Sequence, residues 1–241
     1  MQHIWDDDPN EDETLWRYFT TERFVTCLET SQLYFAAARQ FEDRFEGCVA
    51  VQSPEFKTDP RYAEIEHAEK AFAELKRLTK ISCWHRADYE SDAMWKLYAG
   101  FHKGVAIETT VHTLVDSVAP FKLQPNYGDE TLWGGAIKYT DMTQVRLNTS
   151  MERRFFHKHQ AFAWEREYRL AISVRIAEEF GISVPSDGIL VSVDLSRMIK
   201  RIILGPKLAE SDRKTITNAA NAAGLSDRVA LSSLLFNPRY V

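Results

Sequence analysis

Hydrophobic and polar positions along the chain predict short strands and helices that alternate. Runs of aromatic and β-branched residues bounded by polar or glycine-containing segments are typical of strands. The predicted strands cover residues 15–19, 32–36, 81–84, 104–108, 136–139, 165–172, 189–193 and 202–204.

Helical spacing is clearest between residues 61 and 80. Apolar residues recur there at Ile65, Ala68, Phe72, Leu75 and Leu78, which predicts an amphipathic helix with a charged outer face. Further helices are predicted after residue 20, after residue 91, within 146–163 and over 210–223.

The order of these elements predicts an α+β fold with a mixed β-sheet surrounded by helices. The spacing between strands is uneven and no internal repeat is visible, which disfavours a regular barrel or a doubly wound sheet. Residues 1–13 are acidic and contain Pro9, so we expect a flexible acidic arm there. Residues 14–241 are predicted to form one domain. Between residues 121 and 133, Pro125 and Gly128 favour a long loop that continues through Gly134-Gly135.

Composition excludes several classes of protein. Hydrophobic residues make up 44% and charged residues 27% of the chain, values of a globular protein rather than a disordered one. No apolar run approaches the ~20 residues of a membrane helix, and the acidic start does not resemble a secretion signal. The three cysteines are an odd number without CxxC spacing, which favours reduced thiols and a cytoplasmic, soluble protein.

Charge and motifs narrow the choice of partners. A net charge of −5 makes nucleic acid a secondary hypothesis. His157 and His159 lack the spacing of a metal site, so no metal is expected, and no Walker, GxGxxG or GxSxG motif is present.

The strongest chemical signal lies in the predicted strand 165–172. A period of two places Glu165, Glu167 and Arg169 on one face and Tyr168 with other apolar residues on the opposite face. Neighbouring carboxylates perturb each other, and an arginine holds one of them charged, which suits a polar site. A solvent-facing ladder of charges is the alternative interpretation.

Arg17 and Tyr18 lie in the first predicted strand among apolar residues. Burying a guanidinium group is costly without a partner, so Arg17 is expected to meet a carboxylate or an anionic ligand. Asp43 and Glu46 flank Phe45 in a loop, where turn formation or helix capping is the simpler interpretation.

Aromatic and thiol side chains offer weaker candidates. Trp95 and Tyr98 share a helical face, which is typical of core, although a stacking platform for a nicotinamide is also open. Cys83 and His85 share a strand face, yet a lone cysteine in a strand is more often an inert core residue than a nucleophile.

Seven segments in order resemble the bacterial family of domain of unknown function 2971. The resemblance runs from about Leu15 to Gly205, with Arg44 where the family usually has proline. The segments are 16–18 (WRY), 33–35 (LYF), 41–47 (FEDRFEG), 83–84 (CW), 95–99 (WKLYA), 102–107 (HKGVAI) and 164–170 (WEREYRL).

The layout also resembles the ADP-ribosyltransferase fold at a further remove, which implies a split sheet and NAD as substrate. In that analogy Glu167 is the catalytic carboxylate and Glu165 orients the acceptor or a water. The implied dinucleotide contacts are Arg17, Tyr18, Tyr34, Ser82, Trp95, Tyr98 and Arg169. The implied activity is ADP-ribosyl transfer or NAD glycohydrolysis, in a bacterial or phage setting such as defence or toxin systems.

Two other functions remain open at this point. A non-catalytic module would use Arg17, Glu167 and Arg169 as a structural network around a ligand or partner. A metal-dependent hydrolase or nuclease would use Asp43, Glu46, Glu165 and Glu167 as oxygen ligands. We expect a nucleotide or a protein acceptor as partner and no membrane, while the oligomeric state is left open.

Overall fold

A computed structural model describes residues 1–5, 10–49, 62–237 and 239, with the backbone alone over 62–68. It confirms an α+β fold with a mixed sheet, since both parallel and antiparallel strand pairs occur. The acidic residues 6–8 and the side chains of Ile65 and Ala68 fall outside the described part, so their predicted roles stay predictions.

Seven of the eight predicted strands are confirmed, whereas the strands at His3–Trp5, His157–His159 and Val229–Leu231 were not predicted. The strands are β1 (His3–Trp5), β2 (Thr14–Phe19), β3 (Gln32–Ala37), β4 (Thr79–Arg86), β5 (Val105–Thr110), β6 (Leu132–Ala136), β7 (Lys138–Thr140), β8 (His157–His159), β9 (Glu167–Ser173), β10 (Ile189–Ser192), β11 (Arg201–Leu204) and β12 (Val229–Leu231).

The α-helices lie between these strands, and short 3₁₀ helices add to them, including Arg153–Phe156 and Gln160–Glu165. The α-helices are α1 (Thr21–Thr30), α2 (Tyr62–Leu78), α3 (Asp92–Tyr98), α4 (Val111–Ser117), α5 (Arg175–Glu179), α6 (Leu195–Met198) and α7 (Glu210–Ala222). Ser91 caps α3 as predicted, because its hydroxyl accepts a hydrogen bond from the Met94 backbone N–H.

The start of the chain and the segment near residue 134 differ from the prediction. His3–Trp5 form a strand parallel to β6, where the sequence analysis predicts none. Gly134 lies inside β6 rather than in a loop, and the strand predicted at 136–139 is divided between β6 and β7. A Cβ atom on Gly134 would lie 2.3 Å from the Trp5 ring, so glycine here makes room for β1 rather than for a turn.

The chain folds into two compact units, each assembled from separate stretches of sequence. The first contains residues 1–8, 34–83 and 120–190, and the second contains 9–33, 84–119 and 191–241.

In the first unit, β9 is hydrogen-bonded to β6 and β4, and β6 also pairs with β1. β3 lies antiparallel to β4, with Ala36 opposite Ile81. The apolar core of this unit packs around Ala38, Ile81, Ile137, Phe155, Phe156 and Ala171.

In the second unit, β5 lies between β2 and β11 and is antiparallel to both. β12 extends this arrangement parallel to β11. A separate core packs around Trp16, Tyr18, Met94, Trp95, Ala106 and Ile203.

Two further expectations concern the whole chain. None of the described helices is long and apolar enough to cross a membrane. Cys27, Cys48 and Cys83, the three cysteines of the sequence, carry free thiols, as expected.

Candidate functional site

The strand that carries the predicted carboxylates begins two residues later than expected. Glu165 ends a 3₁₀ helix, and Arg166 adopts a left-handed conformation with a φ of 45° before β9 starts at Glu167. Glu165 is therefore brought beside Glu167 by a turn rather than by strand alternation, which corrects the predicted geometry. Glu167 and Arg169 do share a strand face.

Arg169 and Glu46 form the inner end of a buried ion cluster in the first unit. The Arg169 guanidinium donates to both Glu46 carboxylate oxygens, at 2.6 and 3.0 Å, and both side chains are 1% exposed. Arg169 also donates to the Phe155 carbonyl at 2.7 Å and to Glu167 at 2.6 Å. A buried arginine is tolerated when its guanidinium is paired and hydrogen-bonded in this way.

Lys158, Glu165 and Glu167 form the outer end of the same cluster. The Lys158 ammonium donates to Glu167 Oε1 at 3.0 Å and also to Glu165 Oε2. Its Nζ lies 4.7 Å from the centre of the Phe162 ring. The Lys158 and Glu167 side chains keep 8% and 9% exposure, so this end is the one that reaches towards solvent.

The two outer carboxylates titrate far apart. Burial raises the pKa of Glu165 and the adjacent Glu167 carboxylate adds to this effect, so that the pKa is about 7. Burial also acts against ionisation of Glu167, but Arg169 and Lys158 outweigh it and hold the pKa of Glu167 at about 2. Near neutral pH, Glu167 is thus a fixed negative charge and Glu165 exchanges a proton.

The charges of the cluster explain why one proton is held there. Burial lowers the pKa of Lys158, but Glu167 and Glu165 more than offset this, so it lies above its usual value. Burial raises the pKa of Glu46, against the effect of Arg169. Three carboxyl groups face two permanent cations, so a single retained proton brings the buried cluster to neutrality.

Burial of these residues decides between the two interpretations of the sequence. A solvent-facing ladder of charges is wrong, because Glu165, Glu167 and Arg169 are all buried. Lys158 was missed, since it lies in a polar stretch predicted as helical, whereas the structure has β8 there. The alternating burial of His157, Lys158 and His159 is a strand signal, too short to recognise from the sequence.

Asp43 and Glu46 have different roles. Asp43 Oδ1 accepts a hydrogen bond from the Phe45 N–H at 2.8 Å, which confirms turn chemistry for Asp43. The same interpretation is wrong for Glu46, which pairs with Arg169. Among the residues that the structure describes, no group of three or more His, Cys, Asp or Glu side chains is arranged to hold a metal ion.

Tyr34 and Ser82 also belong to the first unit. Tyr34 is exposed, and its hydroxyl donates to Gln40 Oε1 and accepts from the Gly188 N–H, both at 3.0 Å. Ser82 is fully buried in β4. Tyr34 thus connects Gln40 with the backbone at Gly188. Ser82 has no exposed surface that a ligand could contact in this structure.

Arg17 and Tyr18 lie in the second unit. The partly buried Arg17 guanidinium packs over the Phe19 and Trp84 rings, 5.3 and 5.5 Å from their centres. Tyr18 is buried, and its hydroxyl accepts a hydrogen bond from the Ser91 N–H at 2.9 Å. Burial raises the pKa of this hydroxyl well above its ordinary value, so Tyr18 stays neutral.

Trp95 and Tyr98 differ in exposure although both lie on α3. Trp95 is completely buried against Tyr18, with ring centres 5.0 Å apart, and donates to Glu90 at 3.1 Å. This is the core interpretation of the spacing, and no face of Trp95 is left for stacking on a ligand. Tyr98 is exposed.

Cys83 fits the inert role that its position suggests. Burial raises the pKa of its thiol to about 12, and the nearby Glu167 charge adds to the effect. A thiol that stays protonated at neutral pH is a poor nucleophile.

One family of known proteins matches the part of the chain that contains most of the buried ion cluster. Residues 94–170 match the model of a family described as Protein of unknown function (DUF2971). The predicted resemblance is confirmed over these residues. They include Lys158, Glu165, Glu167 and Arg169, and the match ends at residue 170, within β9. No curated protein and no solved structure matches the chain.

Proposed function

We propose that this chain cleaves the bond between nicotinamide and ribose in NAD and passes the ADP-ribosyl group to water or to an acceptor. One observation carries this proposal: Glu165 and Glu167 both accept hydrogen bonds from Lys158, and their pKa values are about 7 and about 2. A pair of carboxyl groups with widely different pKa values is typical of enzymes that act at a glycosidic carbon.

Glu167 supplies the fixed charge in this proposal. As the C–N bond breaks, nicotinamide leaves with the bonding electron pair and positive charge develops on the ribose. The Glu167 carboxylate stabilises that charge without reorganising, because Arg169 and Lys158 already hold it in place.

Glu165 supplies the exchangeable proton site. In its ionised form it accepts the proton of the water or acceptor hydroxyl that attacks the ribose carbon. Because its pKa is about 7, the rate should rise with pH through neutrality and then level off.

The order of the remaining candidates supports the same activity by analogy. Arg17, Tyr34 or Ser82, and the Glu165-x-Glu167 pair follow the sequence order of an ADP-ribosyltransferase site. The proposed setting is a bacterial or phage defence or toxin system acting in the cytoplasm.

The decisive experiment measures nicotinamide release from NAD by the wild-type chain and by Glu167→Gln, Glu165→Gln and Glu29→Gln. Removing one preorganised charge costs about 10²–10³ in rate, so we expect that loss for Glu167→Gln. Glu165→Gln should flatten the rise of rate with pH. Glu29 is exposed on α1, so its substitution serves as the control.

Thermal stability in the presence of NAD completes this test. NAD that binds the folded chain raises the melting temperature. Wild-type rates of nicotinamide release from folded Glu167→Gln would end the proposal.

A second candidate is a non-catalytic module that binds a small molecule or a protein. The specific observation in its favour is the closure of the inner cluster, where Glu46 and Arg169 satisfy each other at 1% exposure. This module would bind a ligand without turnover. Glu167→Gln would then lower the stability of the chain, and neither the wild type nor the variant would release nicotinamide.

A further inference from the structure

An open cleft of about 440 Å³ lies in the first unit, apart from the carboxylate cluster. Cavities of this size are typical of ligand sites. The described residues of the lining include two arginines and no carboxylate, and they are Val49, Arg146, Leu147, Asn148, Thr149 and Arg154.

Arg154 is the most informative residue of this lining. Its guanidinium packs over the Phe72 ring, 5.4 Å from the ring centre, and its Nε is buried with no hydrogen-bond partner among the residues that the structure describes. Burial lowers the pKa of Arg154, in keeping with a cation that is partly removed from water. A buried donor that is left unsatisfied requires an explanation, and an acceptor supplied by a ligand is one.

Other cations gather at the same place. The Lys76 ammonium lies 5.2 Å from the centre of the same Phe72 ring. Burial raises the pKa of the Cys48 thiol, and the charges of Lys76 and Arg154 both act to lower it. Of the nearby acids, Glu46 is bound by Arg169. Asp43 interacts electrostatically with Cys48, and Glu152 with Arg154. Among the described residues that line the cleft, the charged side chains are thus both cations.

The cleft is built on the two segments that hold the carboxylate cluster. Val49 of the lining follows Glu46 by three residues, and Arg154 precedes Phe155, whose carbonyl accepts from Arg169. A ligand anchored by Arg154 would thus contact the segment that leads directly to Lys158.

We propose that this cleft binds the diphosphate group of a nucleotide, with Arg146 and Arg154 as its ligands. Arginine is suited to this task because its planar fork donates two parallel hydrogen bonds to a phosphate. Asn148 and Thr149 add neutral donors to the same lining. That the nucleotide is NAD rests on the proposed function, whereas the diphosphate site does not.

The test measures binding of inorganic pyrophosphate, ADP and NAD by calorimetry at low and at moderate salt. Loss of a charged hydrogen-bond pair weakens binding about tenfold or more, which we expect for Arg154→Gln and Arg146→Gln. Arg153→Gln is the matched control, because Arg153 is exposed next to Arg154 but does not line the cleft. Arg146 is exposed, so its variant tests the site even if Arg154→Gln loses stability along with the Phe72 contact.

The outcomes separate this inference from the proposed activity. Pyrophosphate binding that weakens in both cleft variants and not in Arg153→Gln supports the site, whether or not nicotinamide is released. Absence of pyrophosphate and ADP binding, or equal affinity in the cleft variants and the control, overturns it even if NAD is turned over.

Discussion

Glu130 is buried just before β6, in the first unit. Its Oε1 atom makes no hydrogen bond within the described part of the chain. Burial raises the pKa of Glu130 to about 7 from an ordinary value of 4.5. The carboxyl group is thus protonated in the folded chain over a range of pH in which the unfolded chain ionises it.

Glu130→Gln should stabilise the chain at alkaline pH. Between pH 4.5 and about 7 the unfolded state loses its proton first, so the wild type loses stability as pH rises. Glutamine removes that loss, and we expect a gain of roughly 1–3 kcal/mol at pH 8 that vanishes near pH 4.5. Urea denaturation at both values of pH measures the difference.

Glu165 also has a pKa of about 7, so it contributes to the pH dependence of stability in the same range. The difference between Glu130→Gln and the wild type measures the contribution of Glu130 alone, because Glu165 is present in both. Glu29→Gln, an exposed substitution on α1, should show no such pH-dependent gain. Equal stability of Glu130→Gln and wild type at pH 8 would show that the carboxyl group is not desolvated.

Residue-level patterns in the sequence identified part of the carboxylate cluster. The alternation at Glu167 and Arg169 predicted a shared face, because strand geometry is local. Lys158 and Glu46 could not be found this way, since their contacts with Glu165 and Arg169 span 7 and 123 residues. The sequence pattern also gave no sign that these charges are buried.

At the level of elements, Glu46 fixes the loop after the 3₁₀ helix Ala38–Gln40 to β9. The Glu46–Arg169 pair is the ionic part of this attachment, and Arg169 also packs against the Phe41 ring, 5.5 Å from its centre. A loop without regular secondary structure is thereby tied to a central strand of the first unit.

The attachment predicts strong coupling between the two residues. Glu46→Leu and Arg169→Met should each cost about 3–5 kcal/mol of unfolding free energy, because each leaves a buried charge unpaired. The double variant should cost less than the sum of the two by up to about 3 kcal/mol. Urea denaturation of the four proteins provides the measurement.

An exposed ion pair in the same unit serves as the comparison. Arg175 and Glu179 lie one turn apart on α5 at 2.5 Å, and their coupling should stay below about 1 kcal/mol. Additive effects of Glu46→Leu and Arg169→Met would mean that the pair does not hold the loop to β9.

At the level of the whole molecule, neither unit is a continuous stretch of chain. The longest of the three stretches of the second unit is 191–241, which supplies β11 as the partner of β5 and Ile203 to the apolar core. The first unit ends its share of the chain at residue 190.

A chain truncated after residue 190 should therefore lose the fold of the second unit. The amides of β5 lose their partners in β11, and we expect hydrogen exchange there to approach that of an unfolded chain. The amides of β6 and β9 pair with residues that remain, and they provide the internal reference. Wild-type protection of β5 in the truncated chain would contradict this division.

The sequence by itself determined the elements of this protein and one face of its site. Hydrophobic periodicity and capping residues act over a few positions, which is why β2, β3, α3 and the Glu167–Arg169 pair could be predicted. Tertiary structure alone decided which distant segments meet: Glu46 with Arg169, Lys158 with both glutamates, and Trp5 on Gly134. These contacts depend on the burial of charged groups and on chain topology, and the local spacing of residues predicts neither of them.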